Sequence, residues 1–251
     1  MNTAYEMIFK RKSMRKFDPN LHVSREELQA IERQFTQLVP LFGSIPVALR
    51  IVESGKTTSR RGEYCLLLYS EKSELSYLNA GYMLEQMDLF LAAMDIGVCW
   101  HGIGKPNDKQ YEGLSYIIML TFGKSRPEDF RQDVAKAARK PGELIWQGGF
   151  DFAGIDAARY APSACNMQPW RVQGDGQTLL VFRTKDVHSA IMPPPLRPFF
   201  NTIDLGIFLC FLELSLSQQG RAFTRSLLLG QANGTGDKRL IPIARYTLAA
   251  T

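Results

Sequence analysis

The sequence predicts an α+β protein made of two tandem halves, residues 1–140 and 141–251, folded as an intramolecular pseudo-dimer. Two observations lead there. One order of elements runs twice along the chain, and each run contains one long apolar helix at the same place. The 251 residues suit one large domain or two small ones, since domains usually run about 100–200 residues.

In the first half, Tyr5 to Lys10 reads as a short helix. Ser24 opens S-R-E-E-L, a capping-box start, and Leu28, Ile31, Phe35 and Leu38 then recur at helical spacing. Val47 to Val52 and Tyr64 to Tyr69 read as strands. Asn79 to Ile96 reads as a long helix with apolar Met83, Leu84, Met87, Phe90, Leu91 and Met94, and Gly97 is the expected stop. Tyr116 to Phe122 is β-rich, and the polar stretch Gly123 to Gly149 reads as a linker.

In the second half, Ile155 to Tyr160 begins a helix, and Trp170 to Val172 and Thr178 to Phe182 read as strands. Ile203 to Leu216 is the long apolar helix, Gly220 follows it, and Leu240 to Leu248 is the last β-rich run. Asn79-Ala80-Gly81 in one long helix matches Asp204-Leu205-Gly206 in the other. Pro40 to Pro46 before a strand parallels Pro162 to Pro169 before a strand. The match is one of order rather than of identity. Helix–strand alternation is common, so order alone leaves coincidence open.

The chain is 45% hydrophobic and 22% charged, which is ordinary for a globular protein and enough for a core that needs no staple. The net charge of +5 comes from scattered basic residues, apart from Lys10, Arg11, Lys12, Arg15 and Lys16. No basic stripe interleaved with aromatics is present, so nucleic acid is not the expected partner. Cys65, Cys99, Cys165 and Cys210 stand far apart with no C-x-x-C pair, which argues against a metal site and fits a reducing, cytoplasmic compartment. The polar start MNTAYEMIFK does not read as a signal peptide. No apolar run reaches the roughly 20 residues of a membrane span. Asp204 and Glu213 interrupt the richest one, so a buried helix is expected there and no membrane partner.

Two segments carry candidate chemistry. In Arg11-Lys12-Ser13-Met14-Arg15-Lys16-Phe17, an extended backbone would point Arg11, Ser13 and Arg15 the same way. Two guanidiniums and a hydroxyl would then form a phosphate receptor, because Arg gives forked, charge-assisted hydrogen bonds. Taken alone, such a run is ordinarily a solvated surface. In Ala161-Pro162-Ser163-Ala164-Cys165-Asn166-Met167-Gln168-Pro169-Trp170, prolines stiffen a loop whose Ser163, Asn166 and Gln168 donate and accept. Such a set suits a planar heterocycle with carbonyls and ring nitrogens, and a capped helix end with a turn is the plainer reading. Cys165 reads as packing, and His22 and His188 as surface residues.

Together, RKSMRKF and APSACNMQPW resemble the FMN-dependent nitroreductase family, whose pattern is R-x-S-x-R/K-x-F followed by P-S-x-x-N-x-Q-P-W. Family members carry both in one half. Here PLFGSIP, residues 40–46, lacks the Ser–Asn–Gln set, and Gln147-Gly148-Gly149-Phe150 stands where a second R-x-S-x-R would lie. The chain is therefore similar to the fused branch, as are N-A-G-Y-M-L-E-Q at 79–86 and G-V-C-W at 97–100.

The resemblance implies one FMN per chain, with the N-terminal strip of one half and the polar loop of the other sharing it. By the same resemblance, Arg11, Ser13 and Arg15 hold the phosphate and Lys12 lies by the ribityl chain or pyrimidine. Ser163 and Asn166 reach the ring, while Gln168 reaches it or anchors its own loop. Trp100, His101, Gly102 and Ile103 run over the flavin, Arg139 before Pro141 joins the phosphate, and no metal is implied. It also implies NAD(P)H as donor, handing hydride to flavin N5, then a nitroaromatic or quinone-type small-molecule acceptor at the same face. No side chain need act as acid or base, and His101 is the one to consider because imidazole titrates near neutrality. A pseudoenzyme that kept this fold without its flavin, or a flavin-binding module without nitroreductase activity, is the alternative. The expected assembly is a monomer or a weak homodimer.

Overall fold

The computed structural model describes residues 4–232 and 234–249, so the first three residues of the polar start lie outside it. The chain divides into two compact units, Met1–Lys136 and Ala137–Thr251. Arg139 and Lys140, read from sequence as the end of the first half, belong to the second unit. The fold is mixed α+β with two sheets, as the sequence predicts.

In the first unit, α1 (Ala4–Lys10) leads into the basic strip, and α2 (Arg25–Phe35) is capped as the sequence predicts. The Ser24 hydroxyl accepts from the Glu27 amide at 3.1 Å, and the Glu27 carboxylate accepts from the Ser24 amide at 2.8 Å. The strands are β1 (Val47–Glu53), β2 (Tyr64–Ser70), β3 (Ile96–Trp100), β4 (Gln110–Tyr111) and β5 (Leu114–Lys124). They pair antiparallel in the order β1-β2-β5-β3, with β4 also on β5. The long helix α3 (Glu74–Ala93) is buried almost all round, as expected of a helix that is apolar on every face.

Its limits differ from the expected 79–96. The Ser73 hydroxyl accepts from the Ser76 amide at 3.1 Å and starts the helix earlier. The chain turns after Ala93 through Asp95 at φ 55°, rather than at Gly97. Gly97 instead lies inside β3. A Cβ there would meet Ser125 Oγ at 2.4 Å and Met14 Cγ at 2.6 Å, so it is the close approach of neighbours that requires glycine.

The second unit contains β6 (Trp146–Gly148), β7 (Trp170–Asp175), β8 (Thr178–Thr184), α4 (Arg197–Gln218), β9 (Phe223–Leu227) and β10 (Leu240–Leu248). The sheet order is β6-β7-β8-β10-β9, antiparallel except for β6 on β7. The expected linker at 123–149 thus contains the end of β5, short 3-10 turns and β6. The helix expected from Ile155 is a 3-10 segment, Ala153–Tyr160. Trp170, fully buried, stacks on Phe208 of α4 with ring centroids 4.9 Å apart. Among the described residues one helix, Pro194–Gln218, is long and apolar enough to cross a membrane. Its most apolar window is 89% buried inside the protein.

The two units repeat one topology. The order β1-β2-β5-β3 matches β7-β8-β10-β9, each with its long helix between the second and third strands in sequence. A hydrogen bond repeats as well. Asn79 Oδ1 of α3 accepts from the Leu41 amide at 2.8 Å, and Asp204 Oδ1 of α4 accepts from the Ala164 amide at 2.9 Å. Each thereby ties the proline-bounded loop of its own unit to its own helix. This shared tether is a more specific sign of duplication than element order.

Candidate functional site

The basic strip leaves α1 with the Arg11 amide still donating to Met7 O at 2.9 Å. Met14 N donates to Val98 O at 2.7 Å, and Ser13 forms an isolated bridge with Val98, which seats the strip against β3. The expected common orientation of Arg11, Ser13 and Arg15 does not hold. Ser13 and Arg15 are exposed, whereas Arg11 is 1% exposed and turned inward beneath α3. Its Nη2 lies 2.6 Å from Asp88 Oδ2 and its Nε 3.9 Å from Glu85 Oε1. Burial works against the Arg11 charge, but Asp88 and Glu85 outweigh it and raise its pKa. The helix end explains the turn inward: Arg11 is the last residue held by a helical hydrogen bond, so strand alternation starts after it. Lys12 is half-buried.

The segment after β3 is bound to the same face. The Trp100 indole donates to Glu85 Oε2 at 3.1 Å, and the His101 amide donates to Met119 O at 3.0 Å. His101 is half-buried, and its Nδ1 is buried without a hydrogen-bond partner among the described residues. Burial first, then the neighbouring Arg61 guanidinium, lower its pKa, so the imidazole is neutral near pH 7. A Cβ at Gly104 would meet Met119 Cε at 2.3 Å and His101 Nδ1 at 3.0 Å, so glycine lets the ring sit there. Gly102 is half-buried, and Ile103, 74% exposed, presents an apolar side chain to solvent.

The 3-10 turn Ser54–Lys56 and the residues up to Glu63 form a third piece, which the sequence analysis did not single out. Thr58 and Lys105 exchange hydrogen bonds, Thr58 N to Lys105 O at 2.8 Å and Lys105 N to Thr58 Oγ1 at 2.9 Å, which joins this loop to the 100–107 segment. Buried Ser59 accepts from Arg61 N and donates to Arg61 O. Arg60 and Arg61 are exposed, and Arg61 Nη1 donates to Cys99 Sγ at 3.8 Å. Their signal in the sequence is Arg-Arg-Gly immediately before a strand, with glycine marking a tight approach.

In the second unit, the proline-framed loop is held by its own polar set. Gln168 N donates to Ser163 Oγ at 2.9 Å, and Gln168 Oε1 accepts from the Lys140 amide at 2.7 Å. At 2% exposure, Gln168 takes the anchoring role among the two open to it. Arg139 Nη1 donates to Asn166 Oδ1 at 3.1 Å, and Asn166 Nδ2 donates to Ala138 O at 2.9 Å. The structure therefore brings Ser163, Asn166, Gln168 and Arg139 together, with Asn166 exposed. Cys165, Asn166 and Gln168 take φ of 49°, 56° and 48°, a left-handed conformation that costs non-glycine residues energy and gathers at functional sites. Cys165 is exposed rather than packed, because its left-handed backbone turns the side chain outward. Cys65, Cys99 and Cys210 are buried.

Lys140 is half-buried, and its Nζ donates to Met167 O at 2.9 Å and Gln168 O at 3.1 Å. Burial, then Arg171, lower its pKa to about 8. Asp204 is fully buried beneath the loop. Its Oδ2 has no partner among the described residues, and burial raises its pKa well above the ordinary carboxylate value despite the Ala164 amide. In its protonated form this acid would be an isostere of Asn79, whose Nδ2 is likewise buried without a partner among the described residues.

No curated protein matches the chain. Among solved structures, one described as "a putative nitroreductase" from Thermotoga maritima is 20% identical. The match covers 98% of this chain and 93% of that one at a TM-score of 0.62. A nitroreductase family protein of Clostridium novyi, 16% identical, covers 53% of this chain and 90% of its own at a TM-score of 0.42. An FMN-dependent nitroreductase of Clostridium difficile, 15% identical, covers 47% and 86% at 0.40. The family described as "Putative TM nitroreductase" matches the chain over residues 3–216, most of its length. The chain accordingly belongs to this nitroreductase family and is an oxidoreductase.

Proposed function

We propose that the chain is an FMN-dependent NAD(P)H oxidoreductase that reduces nitroaromatic or quinone-type acceptors, with one FMN per chain. The observation that carries this reading is the 161–170 loop. Its three left-handed residues are held in place by Gln168, Arg139 and Asp204, which is the preorganisation a ligand-binding loop needs.

The residues fit the group. Ser13 and Arg15 offer an exposed hydroxyl and guanidinium suited to a phosphate. Lys12, half-buried beside them, suits the ribityl chain or pyrimidine. His101, kept neutral with a buried unpaired Nδ1, stands with Trp100, Gly102 and Ile103 as polar and apolar lining for a ring. Ser163, Asn166 and Arg139 are the polar groups that the second unit's loop offers a flavin, and Arg11 acts by holding the strip to α3. The flavin, when bound, supplies the electron transfer; the chain's part is to bind, orient and shield it. We further propose that the protein is cytoplasmic and a monomer or weak homodimer.

The test is the visible spectrum and FMN stoichiometry of the purified protein. One FMN per chain is expected. Two per chain would mean that each unit binds its own, and a colourless protein that FMN does not titrate would favour the pseudoenzyme. Arg15→Ala should weaken FMN binding at least tenfold, while unchanged affinity would remove Arg15 from the site.

A further inference from the structure

One cleft of about 540 Å³ lies wholly within the first unit. Arg15, Lys16, Arg60 and Arg61 line it, with Asp18 and Glu63 the acidic residues. Both acids are engaged elsewhere. Asp18 pairs with Arg126 at 2.6 Å, and Glu63 accepts from the Val23 amide at 2.9 Å and faces His22 at 3.4 Å. Arg15, Lys16 and Arg60, by contrast, make no side-chain hydrogen bond or ion pair among the described residues, and Arg61 only touches the Cys99 sulfur. Unpaired cations gathered in one cleft repel each other and concentrate anions.

The loop that carries Arg60 and Arg61 is built to hold its shape. Ser54 Oγ donates to Gly62 O at 3.0 Å, and Thr57 Oγ1 accepts from the Ser59 amide at 2.9 Å. Gly62 takes φ +66°, and a Cβ there would lie 2.6 Å from Phe122 O. The loop therefore cannot slide along β5, and the guanidiniums are presented from a preorganised frame. One phosphomonoester carries about two negative charges. Ser13 and Arg15, with Lys12 beside them, are assigned to the flavin's, which leaves Lys16, Arg60 and Arg61 for a second.

We infer that this cleft seats the 2′-phosphate of the electron donor, so that the donor is NADPH rather than NADH. The inference rests on the flavin oxidoreductase reading for its donor, but the anion site can be tested alone. The probes are adenosine 2′,5′-bisphosphate and adenosine 5′-monophosphate, which differ by the 2′-phosphate alone. Each is titrated into the protein as purified by calorimetry at one fixed salt concentration. The bisphosphate is expected to bind at least tenfold tighter. Lys16→Gln with Arg60→Gln should erase that preference while FMN content stays as in the parent protein. Equal binding of both probes to the parent protein would overturn the inference. So would loss of FMN from the double variant, which would make the cleft the flavin's own phosphate seat. A 2′-phosphate preference in a protein that binds no FMN would keep the anion site and reject the flavin reading, so the two failures are told apart.

Discussion

The Arg11 guanidinium sits 2.6 Å from the Asp88 carboxylate, both 1% exposed, with Glu85 behind them at 3.9 Å. A charge removed from water is tolerated only with a close opposite partner. Arg11→Ala would strand Asp88 in the interior, and breaking such a pair costs about 3–5 kcal/mol. Urea unfolding should show a loss of that size. Arg11→Met combined with Asp88→Leu and Glu85→Gln should recover much of it, since all three charges of the buried cluster are then removed together. A stable Arg11→Ala protein with merely weakened flavin binding would mean that Arg11 serves the ligand rather than the core.

Asp204 makes stability depend on pH with a definite sign. Burial raises its pKa, so the folded state keeps this proton to a higher pH than the unfolded chain does. Its contribution is complete below the ordinary carboxylate pKa near 4 and is lost as pH rises through the folded value. Asp204→Asn keeps the acceptor for the Ala164 amide and cannot ionise. The variant should therefore gain stability over the parent as pH is raised from 4, and the gain should level off once Asp204 is ionised. A difference that stays flat from pH 4 to 9 would show that burial leaves the Asp204 pKa where the unfolded chain has it.

Lys140 gives up its proton at a lower pH than an ordinary lysine. With a folded pKa of about 8 against 10.5, the unfolded chain binds the extra proton between those values, so raising pH through that window favours folding. Competitive labelling with acetic anhydride should give Lys140 a half-titration near pH 8. Behaviour like the remaining lysines would mean that water reaches the amine freely.

Gly62→Ala tests the frame under the arginine loop. Both φ +66° and the 2.6 Å approach to Phe122 O oppose a Cβ. Non-glycine strain of this kind costs on the order of 1–3 kcal/mol. The expected result is a lowered midpoint of thermal unfolding together with faster amide exchange at Glu63, whose N–H donates to Phe122 O at 2.9 Å. An unchanged midpoint would mean that the loop relaxes at no cost.

What could be read from the sequence followed the range of the interaction involved. The α2 cap and the strands β1, β2 and β10 carry their own periodicity and end signals within a few residues. β3, β6 and β9 are short, and β6 exists only through its pairing with β7. The 161–170 loop was legible because its polar and proline pattern is specific. The inward turn of Arg11 was not, since its partner Asp88 stands 77 positions along the chain. Arg60 and Arg61 escaped notice because a basic pair in a loop has no periodicity, and only the folded hydrogen bonds of Ser59 show how they are held.

The sheet order of the second unit also dictates how that unit forms during synthesis. β10 lies between β8 and β9, and the Tyr246 hydroxyl on it donates to Glu213 of α4 at 2.7 Å. A ribosome delivers α4 and β9 before their shared neighbour exists. Until residues 240–248 clear the exit tunnel, a strongly apolar helix and two unmatched strand edges wait exposed. Nascent chains stalled short of that point should be avid chaperone clients.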